Sequence, residues 1–329
     1  MSRFRTTIDL PDYPFSFHHS YPVMSIGSCF AEHMHQRLEH AKFSALLNPF
    51  GIIYNPYSIV KVLEYLLDSQ SYRQDQLVFD QERWHSLDHH GRFSKDSTAE
   101  TLKAINNELE IARDFLQKTK RLILTFGTSK VYLYKKTKVI VANCHKIPTT
   151  EFERKDLSID EMTLALNEIL SRLQQVFPTL EVVLTVSPVR HIRDGIIAQQ
   201  RSKARLLITC ANLTKQLNHV HYFPAYEIMM DELRDYRFYA SDMIHPSEVA
   251  VDYIWDQFRN SFFEEETESL FQSIRKIQKA SSHRPFNPSS SDHQAFISKQ
   301  IKRINEMEKQ YPFLHFTNER AQLLKSTNS

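Results

Sequence analysis

Apolar positions recur along this chain with two periods, and the periods alternate. Pro22 to Ile26 is a short apolar run ending at Gly27, and Phe30, Met34 and Leu38 then repeat every four residues, which predicts a strand followed by a helix over about 30–40. Phe43 to Leu47 predicts a second strand, and Tyr57 to Leu67 a second helix, with Ile59, Val60, Leu63, Leu66 and Leu67 on one face. Residues 69–95 are polar and aromatic without a period and read as an irregular excursion. A helix over Glu100 to Lys118 leads into the buried-type strand Arg121 to Phe126, closed by Gly127. Val131 to Tyr134 and Val139 to Val141 flank Lys135-Lys136-Thr137-Lys138 as a hairpin, although that turn holds no glycine.

The rhythm continues after the hairpin. Ile159 to Phe177 predicts a helix, with Ser158 as its N-cap and Glu161 completing a capping box. Glu181 to Val186 is a strand, Ser202 to Leu217 a helix and Val220 to Phe223 a short strand, and Pro246 begins another helix. Strand then helix, repeated about five times, implies a central parallel sheet of about five strands with helices on both faces. Residues 1–265 form this domain. From 266 to 329 the chain turns polar, with a Ser- and Pro-containing linker over 280–291, a helix over Ala295 to Tyr311 and a frayed end. That tail reads as an accessory helical extension.

Composition narrows the function. Lys and Arg number 41 against 39 Asp and Glu, unclustered, which gives no electrostatic reason for nucleic acid or a membrane surface as partner. No run approaches the roughly 20 apolar residues of a membrane span. Met1 to Arg5 run into polar residues without a secretory h-region, and the three cysteines are few and odd in number. Together these point to the cytoplasm. There are only five glycines, where average usage of about 7% would give several times more, so each one suggests a backbone requirement. Gly27, Gly51 and Gly127 lie at predicted strand ends, where open α/β sheets bind ligands.

Two segments carry candidate chemistry. Gly27-Ser28-Cys29 joins a strand to a helix N-terminus, where free N–H groups and the helix dipole lower a thiol's pKa and serve an oxyanion. The same segment also fits a small buried cysteine behind a Ser28 cap. In Asp242-Met243-Ile244-His245, a carboxylate three residues before an imidazole can orient it as a base, or can simply cap a helix beside a surface histidine. Arg190-His191 follows the fourth strand and points to the same rim, where it fits either a binding pair for an anionic substrate or cofactor phosphate or, equally, a loop arginine held in an internal salt bridge. Asp231 to Arg237, mixed in sign, reads as a structural ion-pair network. His85, His89 and His90 near Asp88 match no zinc spacing, and no metal is expected.

These segments resemble the GSCFA domain family. The likeness rests on Ile26-Gly27-Ser28-Cys29-Phe30-Ala31, Asn48-Pro49-Phe50-Gly51-Ile52 with Tyr54-Asn55-Pro56, Val141 to Lys146, Ser187 to His191, and Tyr222-Phe223-Pro224 through Asp242 to Ser247, across roughly residues 20 to 260. That family is grouped with the SGNH (GDSL-like) hydrolases. The resemblance implies a flavodoxin-like three-layer α/β/α fold with His245 as base, Asp242 as orienter and Gly51 as an oxyanion donor. The first block departs from Gly-Asp-Ser. In direct register Cys29 is the nucleophile, and in a register shifted by one it is Ser28; the direct register and the helix N-terminus favour Cys29. The third block departs as well, since Gly127-Thr128-Ser129 stands where Gly-x-Asn is usual. Ser129, Thr128 or Asn143 is then the third donor, with Asn143 favoured because the hairpin returns it to the strand end and an amide donates well. The implied activity is hydrolysis of an ester or thioester of a small molecule or carbohydrate, with no required cofactor. The alternatives are acyl transfer to a sugar hydroxyl, from a donor of the acyl-CoA type, and a binding module that keeps the fold without the reaction.

Overall fold

A computed structural model describes residues 6–283 and 285–325; Met1 to Arg5, read above for a leader, and residues 326–329, expected to fray, lie outside the described residues. In chain order the elements begin with β1 (Val23–Gly27), α1 (Cys29–His40), β2 (Ala45–Leu47), α2 (Pro56–Leu67), β3 (Leu77–Asp80), β4 (Arg83–Ser86) and α3 (Thr98–Leu116). Then come β5 (Arg121–Phe126), β6 (Lys130–Tyr134), β7 (Val139–Val141), β8 (Phe152–Asp156), α4 (Ile159–Val176), β9 (Glu181–Val186), α5 (Ile196–Gln216) and β10 (Val220–Tyr222). A short α6 (Ala225–Glu227) precedes α7 (Glu248–Phe262), α8 (Glu265–Ser281), α9 (Ser291–Gln310) and α10 (Thr317–Lys325).

The central sheet has five parallel strands in the order β10-β9-β5-β1-β2. Read from the other edge this is the 2-1-3-4-5 order of flavodoxin-like sheets. Strand alternation sends successive side chains to opposite faces. Leu122, Leu124 and Phe126 of β5 and Val182, Leu184 and Val186 of β9 enter one core with Leu63 of α2, Leu109 of α3, Leu166 of α4 and Leu213 of α5. Ile123 and Val183, one residue out of phase, enter the other core with Phe30 and Leu38 of α1 and Phe258 of α7. The result is a three-layer α/β/α fold.

Several elements differ from the sequence reading. Residues 69–95 are not irregular: β3 and β4 pair as an antiparallel hairpin, Leu77 opposite Ser86. Its turn places Gln81 (φ 47°) and Glu82 (φ 60°) in the left-handed region, a job usually given to Asn or Gly, so no turn signal was visible. The hairpin of β6 and β7 forms as expected, and β8 joins it as an unforeseen third strand in the order β7-β6-β8. Helix α5 starts at Ile196, six residues before the predicted Ser202. Helix α7 starts at Glu248, two residues after the predicted Pro246, because Ser247 caps it by accepting from Ala250 N–H (3.3 Å). The Ser158–Glu161 capping box is present.

The tail carries three helices where one was expected. Ile274, Ile277, Ile304, Leu314, Phe316 and Leu323 make a core of their own. It docks beside α1, where Lys42 pairs with Glu319 (2.8 Å) and Gln278 donates to the His40 carbonyl (2.7 Å). Among the described residues no helix is long and apolar enough to cross a membrane, and no cluster of three metal-ligating side chains occurs. His85 bonds Ser94 (2.7 Å) and His89 bonds Ser86 (2.8 Å).

Candidate active site

The end of β1 is built around Gly27. Its φ is +154°, and a Cβ there would lie 2.3 Å from the Thr125 carbonyl oxygen of β5. Gly27 N–H donates to Asn48 Oδ1 (2.7 Å), and Ser28 N–H donates to Thr125 O (3.1 Å). The chain then turns directly into α1. Ser28 occupies the N-cap position in extended backbone, yet its hydroxyl caps nothing, is fully buried and has no partner among the described residues. Cys29 is the first residue of the helix and is half-buried.

Residues 48–55 cross the ends of β1 and β5 like a strap. Ile53 N–H donates to Gly27 O (3.0 Å), and the Tyr54 carbonyl accepts from both Gly127 N–H (2.7 Å) and Thr128 N–H (3.0 Å). Gly51 N–H is spent on Asn48 O (2.7 Å). The amides of Gly51 and Gly127, expected to face an oxyanion, are therefore engaged within the strap. Gly51 is needed for another reason: its φ is +87°, and a Cβ would meet His90 Cβ at 2.2 Å. Ser129 is also turned away. It is fully buried, and its N–H and hydroxyl both bond the Ser202 hydroxyl (2.8 and 3.1 Å). Asn143 accepts from His145 N–H (2.9 Å) through Oδ1, which leaves its NH₂ as the remaining donor, and it lines a cavity with Gly127, Tyr54 and His191.

Asp242 and His245 meet. Asp242 Oδ2 lies 2.6 Å from His245 Nδ1, and Oδ1 accepts from Ile244 N–H (2.9 Å) and His245 N–H (3.0 Å). Bonds from the His245 N–H, the His245 ring and the Ile244 N–H hold this carboxyl down to about 2, so it is ionised at neutral pH. The segment is tied to the end of β9 by Arg190 N–H donating to Ile244 O (3.1 Å). His33, one turn along α1 from Cys29, and His191 both sense the charge of His245. Among the described residues no hydrogen bond joins His245 to Cys29 or Ser28; bonds of this kind often tighten only when substrate is present.

Sequence reading missed Lys203. It is 1% exposed, and its Nζ donates to Gly127 O (2.8 Å) and Ser187 O (2.6 Å), with no carboxylate partner among the described residues. Burial pulls its pKa down to about 7, against the opposing pull of Cys29. The signal was present: Lys203, Leu206, Cys210 and Leu213 share one face of the predicted helix, so a charge sat at a core position. Contrary to the lowered pKa expected at a helix N-terminus, burial pushes the Cys29 thiol up. Glu32 adds to this, and Lys203 with the N–H groups of Phe30 and Cys29 opposes it without prevailing. Arg190 was expected to bind substrate, but it is used internally, bonding Gln199 Oε1 (3.1 Å) and Met230 Sδ (3.1 Å). His191 does line the cavity, and burial pulls it down to about 4, with Lys203 and His245 adding, so its ring is neutral.

The model described as the GSCFA family matches residues 22–258, and that of the GSCFA domain protein C-terminal domain matches residues 274–329. The chain belongs to the GSCFA family. Its second match falls on the helical tail. Among solved structures this GSCFA chain is similar to a Bacteroides fragilis protein proposed to be an acylhydrolase, at 9% identity over 80% of this chain and 92% of that one, with a TM-score of 0.39. It is similar to a family 3 carbohydrate esterase of Clostridium thermocellum at 10% identity, over 76% of this chain and 98% of that one, with a TM-score of 0.33. A family 3 carbohydrate esterase from Talaromyces cellulolyticus gives 10% identity, 78% and 99% coverage, and a TM-score of 0.36. No curated protein matches the chain. At such identities and TM-scores these likenesses say nothing of the site, which is read from its own geometry.

Proposed function

We propose that this GSCFA chain is an acyl hydrolase that cleaves an ester or thioester of a small molecule or carbohydrate through a covalent intermediate on Cys29. The observation that carries the reading is the 2.6 Å contact between Asp242 and His245 Nδ1, which leaves Nε2 as the basic nitrogen on the rim where α1 begins. Cys29 Sγ attacks the acyl carbonyl while His245 Nε2 takes the thiol proton. The N–H groups of Cys29 and Phe30, together with the Asn143 NH₂, are the donors assigned to the oxyanion. The C–O or C–S bond breaks, and the leaving alcohol or thiol takes the proton from His245. A water molecule then attacks the thioester, giving its proton to His245; the C–S bond breaks, the Cys29 sulfur takes that proton back from His245, and the free acid leaves. The raised thiol makes this base necessary, because little thiolate exists at rest. The full burial of the Ser28 hydroxyl favours Cys29 over Ser28.

Steady-state release of nitrophenol from p-nitrophenyl acetate tests the reading. Cys29→Ala and His245→Ala each lose about 10²–10⁴-fold in rate. Turnover unchanged in either variant contradicts it, and product that forms only with an added acceptor converts it to acyl transfer. The raised thiol and the missing His245–Cys29 bond favour one second reading, a ligand-binding module. Under that reading the wild type has no turnover, and both variants keep ligand affinity within a few-fold.

A further inference from the structure

The cavity that shares Tyr54, Gly127 and His191 with the candidate site has a volume of about 590 Å³, within the roughly 300–1,000 Å³ of sites that enclose small organic molecules. It lies beside the nucleophile: Tyr54 of its wall senses the charge of Cys29, and Gly27 at the end of β1 pairs in register with Thr125 near the end of β5, so the turns that lead to Cys29 and to Gly127 leave neighbouring strands. The walls divide by chemistry. Tyr54, Tyr132, Val141 and Phe152 present rings and methyl groups.

The opposite wall is rich in donors. Gln199 is 4% exposed; its Oε1 accepts from Arg190, and its Nε2 is buried without a partner among the described residues. His191 Nε2 is likewise buried and unpaired there. A buried donor left without an acceptor costs about 1–3 kcal/mol, so a ligand oxygen at this place relieves an existing penalty. Arg193 and Lys146 line the same cavity, are exposed and form no ion pair among the described residues. The one carboxylate in the described wall, Asp194, is already held by Lys130 (3.3 Å) and Arg154. The cavity therefore has unmet donors and positive charge, and no free carboxylate to oppose them.

We infer that this cavity is the subsite for an oxyanion group of the substrate, a carboxylate or a phosphate, taken by Gln199 Nε2 and Arg193, with the substrate's apolar body against the Tyr54–Tyr132–Phe152 wall. This rests on the reading of Cys29 as the reacting group, and it narrows the substrate to an anionic ester or thioester with an aromatic or aliphatic portion.

Calorimetric titration of the full chain with phenyl phosphate, benzoate and benzyl alcohol tests it. The better anion binds at least tenfold tighter than benzyl alcohol, and the order of the two anions tells phosphate from carboxylate. Arg193→Glu, at an exposed position, weakens that anion at least tenfold and leaves benzyl alcohol within twofold. Gln199→Glu, which keeps the acceptor for Arg190, has the same effect. Equal binding of charged and neutral probes, no binding at millimolar concentration, or an Arg193→Glu variant that binds like wild type overturns the subsite. Cys29→Ala keeps anion binding within a few-fold. Acylation of Cys29 by an activated ester is scored separately. Anion binding without acylation overturns the catalytic reading alone, and acylation without anion selectivity overturns the subsite alone.

Discussion

At the scale of single residues, Lys203 is the most unusual feature of the molecule. A fully buried ammonium that has two carbonyl oxygens and, among the described residues, no carboxylate is unfavourable by itself. Its folded-state pKa near 7 lies below the ordinary 10.5. Between those values the unfolded chain keeps the proton and the folded chain does not, so raising the pH favours folding. Urea unfolding of wild type and Lys203→Met across pH 6–10 checks this. Wild type gains stability relative to the variant from about pH 7 upward, whereas a flat difference contradicts the buried charge. The Asp242–His245 pair was readable in sequence because both partners sit three residues apart in one turn. The surroundings of Cys29 were not, because Lys203 and Tyr54 reach it from distant elements and only the folded sheet reveals how far the thiol is buried. Arg190 stayed open between two roles for a related reason: its place after a strand set its position, but Gln199 and Met230 set its direction.

Among the elements, the strands and long helices were legible because period two and period 3.6 are strong local signals. Their connections were less so. The β3–β4 turn uses Gln81 and Glu82 in left-handed backbone, and β8 pairs with a strand nearly 20 residues away, which no local pattern announces. Gly27 is the strand end where sequence and structure agree most closely. Its scarcity argument predicted a backbone requirement, and the Thr125 carbonyl supplies one. Gly27→Ala combines a positive φ with an overlap against backbone, and it lowers unfolding free energy by about 2–4 kcal/mol. A urea midpoint indistinguishable from wild type contradicts that packing.

For the molecule as a whole, the tail has its own core and meets the sheet domain near α1 and through the start of α8, where Phe271 packs on Trp255 and Glu268 pairs with Arg259 of α7. Phe316 is fully buried within that small core. Phe316→Ala, a loss of about 3–5 kcal/mol locally, opens the segment from Ser291 to Lys325 to protease while leaving Cys29 acylation within about twofold. Loss of acylation together with cleavage shows instead that tail and site stand or fall together. The account as a whole turns on whether a covalent bond forms on one sulfur under the control of one histidine. Intact mass and peptide mapping after mixing with p-nitrophenyl acetate, for wild type and His245→Ala in parallel, measure this directly. The account predicts an acetyl group on Cys29 of the wild type that is absent or strongly reduced in His245→Ala. An acetyl group on Ser28, equal labelling of both proteins, or no adduct with no nitrophenol released contradicts it.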